Sequence, residues 1–284
     1  MDGSEIDERT PWQTRPSEHV AIAETRPETG RDLSFRGCIP VWPTSPGRHV
    51  IAVARRAERI AEWKPSSGRT DFVPVTPIAG DVTEVATRDA IENAVAKLNG
   101  GKLDLLVNNA GIGGIGPFAE ASEDRLRRIM EVNFFAPAEL TRRLLPQLKL
   151  GTAPVICNIS SVLAHRAVPD KSEYSASKFA LHGWSDSLRA ELSADGIQVT
   201  LVSPSTTRSD FFNSLIETEM GQSSKSVGSW PPERVAQKAL AAICRRRSEV
   251  ILSLGGKALV YADRLSPPLM NAILAIPHRH NDSK

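Results

Sequence analysis

The sequence predicts an α/β protein built on a doubly wound parallel sheet, with helices on both faces. Continuous apolar runs such as His49–Ala54 and Val155–Ile159 have the length and composition of strands buried on both sides. These runs alternate with helical segments of about 12 residues or more, so each connection must cross over and neighbouring strands must run parallel. No internal repeat competes with this interpretation.

Composition and charge narrow the class of protein. Apolar residues make up 40% of the 284 residues and charged residues 24%, as in an ordinary globular domain. The formal net charge of +2 gives no reason to expect nucleic acid as a partner. The three cysteines are far apart and odd in number, which favours a reducing, cytoplasmic setting over a disulfide framework. We expect neither a signal peptide nor a membrane span.

Residues 1–47 differ from the rest and are expected to form an irregular or aberrant N-terminal segment. Prolines at positions 11, 16, 27, 40, 43 and 46 interrupt any helical period. Val20–Ala23 is a candidate for a short strand. Because the first strand of a doubly wound sheet is central, its loss would leave a gap with two exposed edges. The first strand–turn–helix unit is therefore the doubtful part of the fold.

Regular structure is expected over residues 48–254, as one Rossmann-like domain. Strands are predicted at His49–Ala54, Asp71–Ile78 (interrupted by two prolines), Leu103–Val107, Val155–Ile159, Ile197–Val202 and Val250–Leu252. Helices are predicted over Ala57–Trp63, from a Thr83 cap to about Leu98, from a Ser122 cap to about Leu148, through Tyr174 to about Ala194, and from Pro232 to about Arg247. Residues 255–284 form an apolar tail with a basic edge, which suits either a homo-oligomer contact or a peripheral helix on a membrane surface.

Tyr174 and Lys178 stand four residues apart at the start of a predicted helix, so their side chains share one face. An ammonium about 4 Å from a phenol, at an effective dielectric near 20, is worth roughly 4 kcal/mol and would lower the tyrosine pKa by up to about three units. The pair therefore predicts a tyrosine that exchanges a proton near neutral pH. The alternative is an ordinary surface pair on a helical turn.

Further motifs decide between these two interpretations. They lie at the carboxyl ends of predicted strands or in the helices that follow, in the order Asn108–Gly111, Asn133, Asn158–Ser161, and Tyr174 with Lys178. Each motif is weak alone, but in this order and spacing the set resembles the short-chain dehydrogenase/reductase family over about residues 48–254. Ligands of doubly wound folds bind at this edge of the sheet.

The resemblance implies a role for each matching residue. Tyr174 is expected to be the general acid/base that exchanges a proton with the substrate oxygen. Lys178 would tune the Tyr174 pKa and hold the nicotinamide ribose, and Ser161 would hydrogen-bond the substrate oxygen. Asn133 would anchor a water in the proton relay. These roles agree chemically, because a carbonyl oxygen needs a hydrogen-bond donor and a proton when hydride reaches its carbon.

The resemblance also implies cofactor contacts beyond the catalytic pair. Asp81 and Val82 match the family positions at the adenine ring, and Asn108 begins the loop that lies beside the adenosine. Arg55 follows a strand at the position where an acidic residue would bind a ribose 2′-hydroxyl, whereas an arginine accommodates a 2′-phosphate. We therefore expect NADP(H) rather than NAD(H). The alternative is that Arg55 and Arg56 merely end a strand.

The resemblance fails at the glycine-rich turn, TGxxxGxG, which should follow the first strand and approach the pyrophosphate. If Gly30 is the last glycine of that motif, Glu24 and Glu28 occupy the places of the other two. Three explanations remain open at this point. The coding sequence carries a compensated frameshift or wrong start; the protein is a binding or scaffold protein that cannot hold the cofactor; or an atypical segment with Val20–Ala23 as its strand still supports binding.

The sequence thus predicts an NADP(H)-dependent oxidoreductase that interconverts a carbonyl and an alcohol. The apolar tail and the apolar residues of Phe211–Trp230, where the family places its substrate lid, favour a small hydrophobic substrate. The lid segment equally suits a helical hairpin packed on the core. The competing hypothesis is a catalytically impaired protein of the same fold, with a binding or scaffold role.

Overall fold

The computed structural model describes residues 19–24, 48–55, 74–207, 215–216 and 229–279, and the fold below concerns those residues. They form a seven-stranded parallel sheet in the order β3-β2-β1-β4-β5-β6-β7. The strands are β1 His19–Glu24, β2 Arg48–Ala54, β3 Val75–Ala79, β4 Leu105–Asn108, β5 Val155–Ile159, β6 Gln198–Ser203 and β7 Glu249–Ile251. The predicted doubly wound α/β fold is confirmed.

Strand β1 fills the centre of the sheet. Ile22 is paired with Ile51 of β2 on one side and with Leu106 of β4 on the other. The short strand predicted at Val20–Ala23 is therefore present, and the sheet has no gap at its centre. This corrects the expectation of irregular structure for six residues of the 1–47 segment, because pairing on both sides supplies the backbone hydrogen bonds of a short strand. Residues 25–47, where the family has its glycine-rich motif, lie outside the described residues.

Seven α-helices lie in the described part of the chain, and most match the predicted segments. They are α1 Val85–Ala96, α2 Glu123–Met130, α3 Ala136–Lys149, α4 Ser172–Glu191, α5 Pro232–Cys244, α6 Leu254–Leu265 and α7 Pro267–Arg279. The helix predicted over Ala57–Trp63 lies outside the described residues. Ser122 caps α2 as predicted, its hydroxyl accepting from the Arg125 amide. Helix α1 instead has Glu84 at its N-cap, because Thr83 hydrogen-bonds the Asp81 carboxylate.

The strands are apolar at consecutive positions because helices cover both faces of the sheet. On β2, Ile51 and Val53 face one core, whereas Val50 and Ala52 face the other. The first core continues into helices α1 to α4, and the second into α5. Side chains buried on both faces hold the strand ends in fixed positions, and these ends carry the candidate site.

The C-terminal tail folds into α6 and α7. Its large exposed apolar residues are Leu254, Tyr261, Leu265, Leu269 and Ile273. Contact of this surface with a second copy or with a membrane surface stays a prediction. Among the described residues, no helix combines the length and the apolar character needed to cross a membrane.

Candidate active site

The carboxyl ends of β4 and β5 are joined by a buried chain of amide hydrogen bonds. The Asn108 amide donates to Asn158 Oδ1 at 2.8 Å and to the Thr141 hydroxyl of α3 at 3.2 Å. The Asn158 amide donates to the Ser185 hydroxyl of α4 at 2.8 Å. These hydrogen bonds thus link β4 and β5 to helices α3 and α4. The adenosine contact expected of Asn108 stays a prediction.

Asn133 lies in a single π-helical turn, Glu131–Phe135, between α2 and α3. Its Oδ1 accepts from the Ile112 amide at 2.8 Å, and its Nδ2 donates to the Ile112 carbonyl at 2.9 Å. The same Nδ2 donates to the Ser177 hydroxyl of α4 at 2.9 Å. One fully buried side chain therefore holds the loop after β4 against the helix that carries Tyr174 and Lys178.

Lys178 is buried at the end of β5. Its ammonium donates to the Ile159 carbonyl at 3.0 Å and lies 5.8 Å from the centre of the Tyr174 ring. A Cβ at Gly111 would stand 3.6 Å from the ammonium, so the loop after β4 passes close to it. Within the described part of the chain the Ile159 carbonyl is the acceptor of this ammonium, whose other hydrogens suit the hydroxyl groups of a ribose. This end of the site fits a nicotinamide dinucleotide.

Tyr174 is half-buried and hydrogen-bonded to Ser161. Burial raises the pKa of Tyr174 to about 12, and the Ser161 hydrogen bond only partly opposes it. Burial also lowers the pKa of Lys178 to about 8. The expected lowering of the Tyr174 pKa is therefore wrong for the protein without ligand, because burial disfavours the phenolate more than the Ser161 hydrogen bond favours it. At neutral pH the phenol is protonated and the ammonium is mostly charged.

The two serines after β5 have different environments. The Ser161 hydroxyl accepts from the Leu163 amide at 3.1 Å and so caps a 3₁₀ turn, Val162–Ala164. The Ser160 hydroxyl is buried without a hydrogen-bond partner among the described residues. Of the two serines, Ser161 is the one that is hydrogen-bonded to Tyr174.

The residues expected at the adenine end follow two neighbouring strands. Arg55 comes directly after β2, and Asp81 and Val82 follow β3. The Gly80 amide donates to the Ala54 carbonyl at 3.1 Å, which brings these two strand ends together. Asp81 Oδ1 accepts from the amide and hydroxyl of Thr83 at 3.0 and 2.9 Å, so this carboxylate also shapes the turn.

Sequence reasoning missed a buried ion pair beside the candidate site. Arg125 of α2 contacts Glu173 of α4, and Glu173 directly precedes Tyr174. Gly114 lies close against the Arg125 side chain, since a Cβ at Gly114 would stand 3.1 Å from Arg125 Cδ. The only sequence signal was a charged residue at the start of each helix, where a solvent-exposed side chain is the usual outcome.

The fold and the residues at its strand ends define a nucleotide-binding oxidoreductase of the doubly wound class, and comparison with known proteins gives the family. The family model described as "short chain dehydrogenase" matches residues 44–220. A Drosophila melanogaster "Dehydrogenase/reductase SDR family protein 7-like" is 32% identical over 238 residues, which cover 81% of this chain and 72% of that protein. The Bos taurus "Dehydrogenase/reductase SDR family member 7B" is 30% identical over 249 residues, covering 84% and 76%.

Solved structures agree with this assignment. A short-chain dehydrogenase from Streptomyces avermitilis superposes with a TM-score of 0.71 at 25% identity, covering 93% of this chain and 98% of that one. One from Burkholderia cenocepacia in complex with NADP gives 0.72 at 23% identity, covering 92% and 98%, a likeness that concerns the fold. The chain belongs to the short-chain dehydrogenase/reductase family, oxidoreductases that act with NAD(P).

Proposed function

We propose that this protein is an NADP(H)-dependent oxidoreductase that interconverts a carbonyl and an alcohol, with Tyr174 as the general acid/base. The observation that carries the proposal is the hydrogen bond between Tyr174 and Ser161, with the Lys178 ammonium 5.8 Å from the tyrosine ring. Ser161 lies in the loop after β5, and Tyr174 and Lys178 lie on α4. Ser161 provides a hydrogen-bond donor, Tyr174 the proton and Lys178 the positive charge that carbonyl reduction needs.

The protonation states favour the reductive direction at neutral pH. With a pKa of about 12, Tyr174 is a neutral phenol that can donate its proton to a developing alkoxide. Ser161 then has its hydroxyl free to turn from Tyr174 to the substrate oxygen. When bound beside Lys178, a nicotinamide would supply the hydride in reduction and accept it in oxidation. In oxidation, Tyr174 must first lose its proton, for which a charged Lys178 nearby is the favourable environment.

Lys178 and Asn133 complete the site in different ways. We assign Lys178 to the nicotinamide ribose, because its ammonium is fixed by the Ile159 carbonyl and has further donors to offer. The side chain of Asn133 is occupied by Ile112 and Ser177, so it positions the loop after β4. The relay water that the family resemblance assigns to Asn133 would then bind mainly through its backbone.

NADP(H) is our proposed cofactor because Arg55 directly follows β2, next to the strand end that carries Asp81. An arginine there pairs with a 2′-phosphate, whereas NAD(H) offers only hydroxyl groups at that position. A small hydrophobic carbonyl remains the proposed substrate. In the described part of the lid segment, Ile216 packs in the first core and donates its amide to the Gly113 carbonyl at 2.9 Å, so this proposal rests on the apolar residues of the sequence.

The test is carbonyl-dependent oxidation of NADPH by the purified protein and by three variants. Tyr174→Phe should lose activity by more than about 100-fold, because general acid catalysis contributes roughly 10²–10⁴. Ser161→Ala should lose a similar factor, whereas the neighbouring Ser160→Ala should keep most activity. Full activity in Tyr174→Phe, with unchanged circular dichroism, would refute the assignment.

A second candidate function rests on one observation in the sequence. If Gly30 is the last glycine of the family motif, Glu28 stands where the family has a glycine before the pyrophosphate, and a carboxylate there repels a phosphate. On that hypothesis the chain is a binding or scaffold protein of the same fold, without cofactor. Thermal unfolding with NADPH separates the two, since a ligand at about 100 times its Kd adds roughly 2.7 kcal/mol. An unchanged midpoint favours the scaffold.

A further inference from the structure

A second cluster of ligand-type side chains lies outside the proposed catalytic set. His165 follows the 3₁₀ turn after β5, His182 belongs to α4, and Glu249 begins β7. One ligand atom from each of the three lies within 4.8 Å of the others. His165 Nε2 is 3.0 Å from Glu249 Oε1, and the two imidazole rings meet edge to face with centroids 4.5 Å apart. Three separate elements therefore converge on a small volume.

A hydrogen bond to the backbone orients the His182 imidazole. His182 Nδ1 is 3.2 Å from the Ala164 carbonyl, which selects the tautomer that carries its proton on Nδ1. That tautomer leaves Nε2 with a lone pair, as in metal sites where the second nitrogen of a ligating histidine donates to a carbonyl. The carboxylate of Asp186, which also pairs with Arg189, lies 3.5 Å from the same Nε2.

The types of side chain also suit a cation. Two imidazoles and one carboxylate form a ligand set that Zn²⁺ prefers, with the fourth position open to water.

We propose that His165, His182 and Glu249 bind a Zn²⁺ ion. The ion would connect the loop after β5, helix α4 and strand β7. Its two histidines stand four residues after Ser161 and four residues after Lys178. Zinc would thus link the same two segments that carry the candidate catalytic residues, at a distance of four residues along the chain from Ser161 and from Lys178. Neither the fold nor the proposed cofactor chemistry requires this ion.

The experiment uses the whole chain after treatment with a chelator. Zn²⁺ is titrated in competition with a chromophoric chelator, and thermal unfolding is followed with Zn²⁺ or with Mg²⁺. We expect one site per chain with a Kd in the micromolar range or below, a higher midpoint with Zn²⁺, and no effect of Mg²⁺. Because activity is not measured, the result does not depend on the proposed reductase function.

Variants locate the site. His182→Gln and Glu249→Gln should each weaken Zn²⁺ binding at least tenfold. His49→Gln is the matched control, since His49 hydrogen-bonds Thr76 Oγ1 on the far edge of the sheet. A double variant, His278→Gln with His280→Gln, tests the two histidines near the C-terminus. Both controls should bind zinc as the unaltered protein does.

Two results would overturn the proposal. One is the absence of stoichiometric Zn²⁺ binding by the unaltered protein, which is independent of how any variant folds. The other is binding that survives in His182→Gln and Glu249→Gln but disappears in the C-terminal double variant. Hydrogen exchange adds a positional check, because zinc at this site should slow exchange of the amides in residues 162–166.

Discussion

Arg125 donates two hydrogen bonds to one carboxylate oxygen of Glu173, from Nε at 2.9 Å and from Nη2 at 2.6 Å. The Ser172 hydroxyl donates to the other oxygen at 2.7 Å. Both charged side chains are almost fully buried. Since Glu173 and Tyr174 are neighbours in the first turn of α4, the pair fixes where that helix begins and hence where the candidate proton donor stands.

Replacing Glu173 by Gln should destabilise the fold by about 3–5 kcal/mol, because the Arg125 charge would stay buried without its partner. Urea unfolding at neutral pH measures the loss. Burial alone would raise the pKa of Glu173, but hydrogen bonds from Ser172 and the backbone, with the Arg125 guanidinium, hold it below its ordinary value. The carboxylate therefore stabilises the protein above its ordinary pKa, and that contribution disappears as the pH falls through the native-state pKa.

An exposed pair on α3 is the matched control for this prediction. Glu139 and Arg142 also form an ion pair, but their side chains are 43% and 69% exposed. Glu139→Gln should cost less than about 1 kcal/mol, as exposed pairs usually do. Equal losses of unfolding free energy in the two variants would mean that burial does not increase the contribution of the Arg125–Glu173 pair to stability.

The fold could be predicted in most of its elements because strand and helix periods are local signals. Strand β5 has the predicted bounds, Val155–Ile159, and the long helix after Ser122 is present. The π-helical turn inside that helix was not foreseen, since it depends on what Asn133 contacts in space. The central place of β1 depends likewise on pairing with Ile51 and Leu106, whereas Val20–Ala23 alone is too short to predict with its proline-rich surroundings.

The candidate site divides in the same way. Tyr174, Lys178, Ser161 and Asn133 could be selected because their spacing is a sequence pattern, and the described structure brings them to one edge of the sheet. Their protonation could not be predicted, because the pKa of Tyr174 depends on burial in the folded chain. The contacts of Asn133 with Ile112 and Ser177 are equally tertiary, between residues that no local pattern relates.

Asn133→Ala should destabilise the protein more than Ser177→Ala. The first variant leaves the buried amide and carbonyl of Ile112 without their side-chain partner, at about 1–3 kcal/mol for each unsatisfied group. The second removes one acceptor of the Asn133 amide, which still donates to Ile112. Chemical unfolding of both single variants and the double variant gives the comparison. If Ser177→Ala costs as much as Asn133→Ala, the link to Ile112 is not the principal role of Asn133.

Arg55→Asp should shift cofactor preference from NADPH towards NADH. Loss of a charge-assisted hydrogen bond to a 2′-phosphate costs about 1.5–3 kcal/mol, or roughly 10- to 100-fold in the KM for NADPH. The KM for NADH should fall or stay constant, because an acidic side chain accepts from a 2′-hydroxyl. Steady-state kinetics with both cofactors measure the ratio. Arg142→Asp, an exposed arginine on α3, should leave the ratio unchanged, and an equal shift in that variant would point to overall charge.

Lys178→Met should raise stability while it removes activity. Burial lowers the pKa of Lys178 from 10.5 to about 8, so keeping the ammonium charged in the native state costs roughly 3 kcal/mol below pH 8. Methionine avoids that cost, but it leaves the Ile159 carbonyl without its donor. This loss lowers the stability by about 1–3 kcal/mol. A small net gain in the free energy of unfolding is therefore expected at pH 7. Activity is lost because methionine lacks the donors that we assign to the ribose.

The pH dependence separates this explanation from a general packing effect. Between pH 8 and 10.5 Lys178 binds a proton in the unfolded chain but not in the native one, so its contribution to the stability of the unaltered protein should rise with pH in that window. Lys178→Met lacks this rise, and its advantage should therefore shrink from pH 7 to pH 10. Urea unfolding at both pH values measures the difference, with Lys149→Met as the control on a half-exposed lysine paired with Asp195. A constant difference between Lys178→Met and the unaltered protein at the two pH values would show that the buried charge is not its cause.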